Sequence, residues 1–165
     1  MEERPKITIE LTGTDKIIEM TSWLLLRAIW VFTIMKYTEL PDIIPVHYDG
    51  TGHVNEFGDK ATIIFLPAIG TIMAIGLTVL NKYPHVFNYL KKITPENALE
   101  QYTNATRMIR FLNLSTTLVI GIVVLMIVTD SSKETVEPGG GIMLVILISA
   151  IIFLPLLYFT VKAFR

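Results

Sequence analysis

From Ala61 to Leu80 the chain runs for twenty residues without a charged side chain, and three other stretches are nearly as apolar. A bilayer core about 30 Å thick takes about 20 residues of helix to cross. Lipid offers no hydrogen-bond partners, so a run of that length must satisfy its own backbone N–H and C=O groups, which a helix does. The four stretches are Met20 to Leu40, Ala61 to Leu80, Phe111 to Thr129 and Ile142 to Val161. They predict an all-α integral membrane protein, one membrane domain over residues 1–165 with four transmembrane helices. Composition agrees: 52% of residues are hydrophobic and 18% charged, whereas soluble domains carry about 25% charge.

The basic residues orient these spans. Arg4, Lys6, Lys16, Lys82, Lys91, Lys92, Arg107, Arg110, Lys162 and Arg165 fall on one side, and only Lys60 and Lys133 on the other. Lys and Arg near span ends favour the cytoplasmic side, so both termini are expected inside. Residues 1–19 and 81–110 are then cytoplasmic, with 41–60 and 130–141 outside. The expected location is the bacterial cytoplasmic membrane, and the lipid bilayer is the first partner. A net charge of -1 supplies no basic excess for nucleic acid. The absence of cysteine excludes a disulfide framework, thiol catalysis and thiolate metal sites. Met1 to Lys16 lacks the apolar core of a secretory signal, and the chain is expected to stay uncleaved.

Along the chain, Lys6 to Thr12 alternates polar and apolar side chains with the period of a half-buried strand. Such a strand would be an interfacial tail or an edge that pairs with a second copy or another protein. Thr12 and Asp15 have capping-box spacing, so a helix should begin near Thr14. Arg27 and Lys36 interrupt the first span; nine residues apart, at about 100° per residue, they lie on opposite sides of the helix. Each is expected to snorkel toward its own membrane face. The alternative turns Arg27 into the bundle to pair with Asn113 or a bound anion. Pro67 and Pro155 predict kinks. Gly70 with Ala74, and Thr117 with Gly121, are small-residue pairs suited to close helix contact. Thr94, Pro95 and Glu96 carry N-terminal helix signals, so a long third helix is expected from Pro95 to about Thr129, its first part extending into the cytoplasm.

The stretch from Leu40 to Lys60, LPDIIPVHYDGTGHVNEFGDK, gathers most of the chemically specific residues. Pro41 and Pro45 stiffen the exit from the first span, and Asp49, Gly50, Thr51 and Gly52 supply turn chemistry. A compact, structured outer cap is expected. The run LPxxIPVHY, a glycine turn and FGDK, followed by NKYPHVFNY and ENALEQY, resembles the uncharacterised integral-membrane domain at the N-terminus of Sdp-type bacterial immunity proteins. The resemblance extends over about Trp23 to Thr129. Those proteins resist a toxin peptide and take part in signalling to a repressor, and they carry a further membrane portion after this domain, where here only Ile142 to Val161 follows. The resemblance implies an outer signature of Leu40, Pro41, Ile44, Pro45, His47, Tyr48, Gly52, Gly58 and Lys60, and an inner one of Pro84, His85, Asn88 and Tyr89.

Three chemical readings compete with binding. His47, Asp49, His53 and Glu56 are nitrogen and oxygen donors within ten residues, a set a zinc-like ion could use. The two histidines match no established ligand spacing, and the simpler reading is that they bond loop backbone; no metal and no cofactor are expected. No nucleophile-elbow, metalloprotease, phosphate-loop or dinucleotide pattern occurs, so no catalytic residues are assigned. Transport would draw on Arg27, Asn113 and the proline kinks and would need an oligomer or a larger assembly. The inner run NKYPHVFNYLKK suits lipid headgroups, with a cytoplasmic protein partner as the alternative. The expected function is non-enzymatic binding or sensing of an extracellular peptide, protein or other ligand; a transport or export subunit is the alternative, and a metal-dependent membrane enzyme the second.

Overall fold

The structure, a computed structural model, describes residues 4–132 and 141–164. In chain order the elements are α1 (Gly13–Tyr37), strands β1 (Ile43–Tyr48) and β2 (Val54–Asp59), a 3-10 turn (Lys60–Ile64) leading into α2 (Phe65–Leu80), a short 3-10 turn (Pro84–Val86), α3 (Ala98–Ser131) and α4 (Gly141–Phe164). The protein is mostly helical, with four helical stretches long and apolar enough to cross a membrane. α3 is central: it packs against α1, α2, α4, β1 and the Pro84–Val86 turn.

The outer surface is as apolar as the interior, which holds several polar side chains. Ile34, Met35, Ile72, Phe153 and Leu154 face outward, each more than half exposed, while Ser22, Thr33, Asn113, Ser115 and Thr117 are buried. The outward apolar surface is consistent with contact to lipid. Against lipid, apolar side chains gain nothing by leaving their surroundings, so helices associate through close packing and interhelical hydrogen bonds. Both devices are present. A Cβ added at Gly70 would come within 2.8 Å of Ile120 Cδ1, and one at Gly121 within 3.1 Å of Ile29 Cδ1. The Trp30 indole N–H donates to Thr71 Oγ1 at 2.9 Å, tying α1 to α2.

Pro155 lies inside α4. Lacking an N–H, it cannot donate to the carbonyl of Ile151 four residues earlier. Ser115 on α3 supplies the missing donor, its Oγ 2.8 Å from that carbonyl. Further along, Asn104 Nδ2 donates to the Phe159 carbonyl at 3.0 Å. α4 is thus held to α3 by two side chains that bond its backbone.

Several sequence expectations change. The outer segment is a β-hairpin, so the chain is not all-α. No strand forms over Lys6 to Thr12; its alternation survives as burial, with Ile7 and Ile9 packed against the cluster of Ile93, Ala98 and Tyr102. Pro67 lies in the first turn of α2, directly after the Lys60–Ile64 3-10 turn, and not in the helix interior where the expected kink would arise. α3 begins at Ala98, not Pro95. Asn97 Oδ1 accepts from the Thr94 amide, and the Asn97 and Ala98 amides return to the Thr94 carbonyl, which closes a turn over Thr94 to Asn97 ahead of the helix. Arg27 faces outward and Asn113 is buried, so the alternative pairing of the two is not made. The expected turn over Asp130 to Gly141 begins beyond Ser131, the last residue of α3, and residues 133–140, like Arg165, lie outside the described residues.

Candidate functional site

The hairpin is antiparallel, with Ile43 opposite Asp59, Ile44 opposite Gly58, Pro45 opposite Phe57, His47 opposite Glu56 and Tyr48 opposite Val54. The register slips twice, leaving Val46 and then Asn55 without a direct partner. Pro45 is tolerated because a two-stranded sheet has only edge strands, so one side of each needs no ladder donor. The tip is closed by Asp49. Its Oδ1 accepts from the Thr51 and His53 amides at 2.8 and 3.0 Å and from the Thr51 hydroxyl at 2.6 Å. The Thr51 hydroxyl, followed by the His53 amide, draws the Asp49 carboxyl down to about 2. Gly52 completes the turn with φ of 82°, a left-handed value that disfavours any side chain.

Four contacts fix the hairpin to the helices. Ile44 is fully buried, packed in one cluster with Leu40, Ile63, Ile127 and Val128. Tyr48 donates its hydroxyl to Asp130 Oδ2 at 3.2 Å; burial, reinforced by the Asp130 charge, raises its pKa. Asp42 Oδ1 lies 2.9 Å from Lys60 Nζ, and this ammonium, hydrogen-bonded to it, holds the Asp42 carboxyl below its ordinary range. Lys60 also stands 5.8 Å from the Tyr37 ring centre, within cation–π range. Gly58 lies under Val46, where a Cβ would meet Val46 Cγ1 at 3.0 Å.

Of the residues singled out from the sequence, Pro45, Tyr48, Gly52, Gly58 and Lys60 therefore build and anchor the hairpin. Pro41 is exposed at its entry. His47 is exposed, with Nδ1 against Asn55 Oδ1. His53 turns toward Thr51 and lies 3.7 Å from Asp49 Oδ2. The donors His47, Asp49, His53 and Glu56 do not converge: among the described residues no three His, Asp or Glu side chains are placed to share an ion.

The opposite end carries the second group. Tyr89 donates to the Pro84 carbonyl at 2.7 Å and stacks on Phe87; burial raises its pKa. Arg4 lies 5.6 Å from the Tyr89 ring centre and donates to the Phe87 and His85 carbonyls at 2.6 and 3.2 Å. The Tyr102 hydroxyl donates to the Pro5 carbonyl at 3.1 Å. Thus Pro84, His85 and Tyr89 form a folded face closed by the N-terminal segment, with Asn88 exposed beside it.

Sequence reasoning missed an ionic seam just beyond this face. Arg107 grips Asp15 through two bonds of 2.8 and 3.0 Å, while Arg110 reaches Glu19 at 3.4 Å. Thr12 caps α1 through the same Asp15, with its amide and hydroxyl 3.0 and 2.6 Å from Oδ2. The capping box is therefore also the docking point of α3. The available signal was spacing: two acids four apart and two arginines three apart each present one helical face.

The sequence model of a family described as Domain of unknown function (DUF1648) matches residues 24–71. That segment is the latter half of α1, the hairpin and the start of α2. Pro84, His85, Asn88 and Tyr89 lie outside it, so the match is narrower than the resemblance drawn from Trp23 to Thr129. An uncharacterized protein of Archaeoglobus fulgidus is 26% identical over 86 residues, covering 47% of this chain and 47% of the relative. The chain thus spans about half the length of that relative. No solved structure matches this chain.

Proposed function

We propose that the chain is a non-enzymatic multi-pass protein of the cytoplasmic membrane, with both termini inside and the hairpin outside as a recognition surface for a peptide or protein ligand. The hairpin carries this reading. Its buried side is pinned by Ile44, and Ile43 and Phe57, 59% and 58% exposed, stand free. A surface fixed before its ligand arrives loses little entropy on binding. Among the described residues β2, exposed along most of its length, pairs on one side only, which suits an extended peptide that adds main-chain hydrogen bonds. The resemblance to Sdp-type immunity proteins adds the kind of ligand, a toxin peptide, and a signalling role. The excess of Lys and Arg at the opposite end supports the orientation.

A photo-crosslinking residue at Phe57, in full-length protein in its native membrane, tests the reading. Capture of a discrete peptide or protein, lost in His47→Ala, is the expected result. Lipid adducts alone would remove the recognition role, and a channel or transporter subunit would favour the assembly alternative. Labelling of a cysteine placed at Thr51 from the cytoplasmic side only would overturn the orientation.

A further inference from the structure

We propose that the end of the bundle opposite the hairpin holds a binding site for a phosphate ester. A cavity of about 310 Å³ lies between the N-terminal segment at Thr8, Glu19 on α1, Thr78 in the last turn of α2, Asn81 and Lys82 just beyond it, and Arg110 on α3. This is at the lower end of the range of about 300–1,000 Å³ for small-molecule sites, a volume suited to a headgroup and not to a whole lipid.

Arg110 sets the chemistry. It is 7% exposed, and among the described residues its side chain has one partner, Glu19, at 3.4 Å from Nε. A guanidinium carries five N–H donors in a planar fork, so most of the donors of this buried cation find no acceptor in the protein. Arg107, one turn earlier, shows the contrast with its two short bonds to Asp15. The Arg110 terminal nitrogens are not among the enclosed side-chain atoms that lack a partner; they open onto the cavity that the residue lines, where a ligand's acceptors can reach them. The Asn81 side-chain oxygen is also buried without a hydrogen-bond partner. It fits a ligand or water that brings donors as well.

The charges lining the cavity are Arg110 and Lys82 against Glu19, an excess of one positive. Lys82 has no carboxylate partner among the described residues, and it is exposed at the rim. A guanidinium fork matches two phosphate oxygens at once, and a lysine adds a mobile point charge. Apolar walls from Ile7, Ile9 and Pro84 flank this polar patch. The combination suits an anionic phosphate with an organic ester arm, which a phospholipid of the adjacent leaflet or a free phosphate ester could supply.

The test uses the full-length protein in detergent micelles, read by native mass spectrometry with short-chain phosphatidylglycerol, phosphatidylcholine and glycerol 3-phosphate as separate probes. A saturable adduct is expected, weakened roughly tenfold by Lys82→Gln and by Arg110→Lys, which keeps the charge but loses the fork. Glu19→Gln should tighten it, because the competing carboxylate is gone. Selective retention of phosphatidylglycerol assigns the lipid source, and equal retention of glycerol 3-phosphate the free ester. Absence of any adduct, or adducts indifferent to both Lys82→Gln and Glu19→Gln in protein of unchanged melting temperature, overturns the site. Lys82 is exposed, so its variant remains informative if Arg110→Lys fails to fold.

Discussion

Ile44→Ala should detach the hairpin from the helices while leaving its turn intact. The substitution deletes three carbons from a side chain with no exposed surface. At about 0.8 kcal/mol per buried methylene this removes about 2.4 kcal/mol, and the remaining void adds about 24 cal/mol per Å³. A total of about 3 kcal/mol shifts the local opening equilibrium roughly a hundredfold. Ile43, next in the strand and 59% exposed, is the internal control; Ile43→Ala should cost under about 0.5 kcal/mol. Hydrogen exchange of the amides in Ile43–Tyr48 and Val54–Asp59, measured in detergent micelles, reads the difference directly. If both variants accelerate exchange within threefold of each other, the hairpin is not pinned by Ile44, and the claim that its recognition surface is preformed falls with it.

Other outcomes follow from single contacts. Ser115→Ala should cost about 1 kcal/mol in a detergent unfolding titration, and nothing further in a Pro155→Ala background, where the helix regains its own donor. Gly52→Ala should destabilise the hairpin by about 1 kcal/mol because of its left-handed φ, whereas Gly50→Ala, with open space around it, should be silent. Asp15→Asn should lower stability by about 1.5 kcal/mol by weakening the two charged bonds to Arg107, and a melt showing less than a third of that would place the seam in solvent. The Asp49 carboxyl is depressed in the folded state, so its contribution is complete above the ordinary carboxylate value of about 3.9 and is lost as pH falls through about 2. Carbon chemical shifts of Asp49 should stay flat from pH 7 to about 4.5, and a midpoint near 3.9 would contradict the turn geometry.

The helices were legible because apolar length in a membrane leaves one solution, and the capping box at Thr12 was legible because its signal is local. The hairpin was hidden by Pro45, which marks a break in most strands and is permitted here only because both strands are edges. The Thr94 signal was real but local: the Asn97 side chain and the Asn97 and Ala98 amides close a turn on Thr94, and the regular helix follows from Ala98. The seam of Asp15 and Arg107 joins residues 92 apart in the chain, and nothing within either helix specifies the partner. Arg107 and Arg110, which in the sequence only mark the expected cytoplasmic side, also lock α3 to α1. The N-terminal alternation marks half-burial without a strand: Ile7 and Ile9 lie against the cluster of Ile93, Ala98 and Tyr102, and period two does not distinguish a paired strand from a single tail lying on a surface.

The attachment of α4 bears on how freely its sequence can change. Asn104 and Ser115 bond the Phe159 and Ile151 carbonyls, and a carbonyl is supplied by every amino acid. The identity of residues along α4 is thereby uncoupled from these two bonds, and a drift among apolar side chains leaves them untouched. Residue 155 is the exception, since any replacement for proline restores an N–H that competes with Ser115 for the same oxygen. In a collection of related chains, α4 should diverge fastest, with proline and serine at positions 155 and 115 gained or lost together.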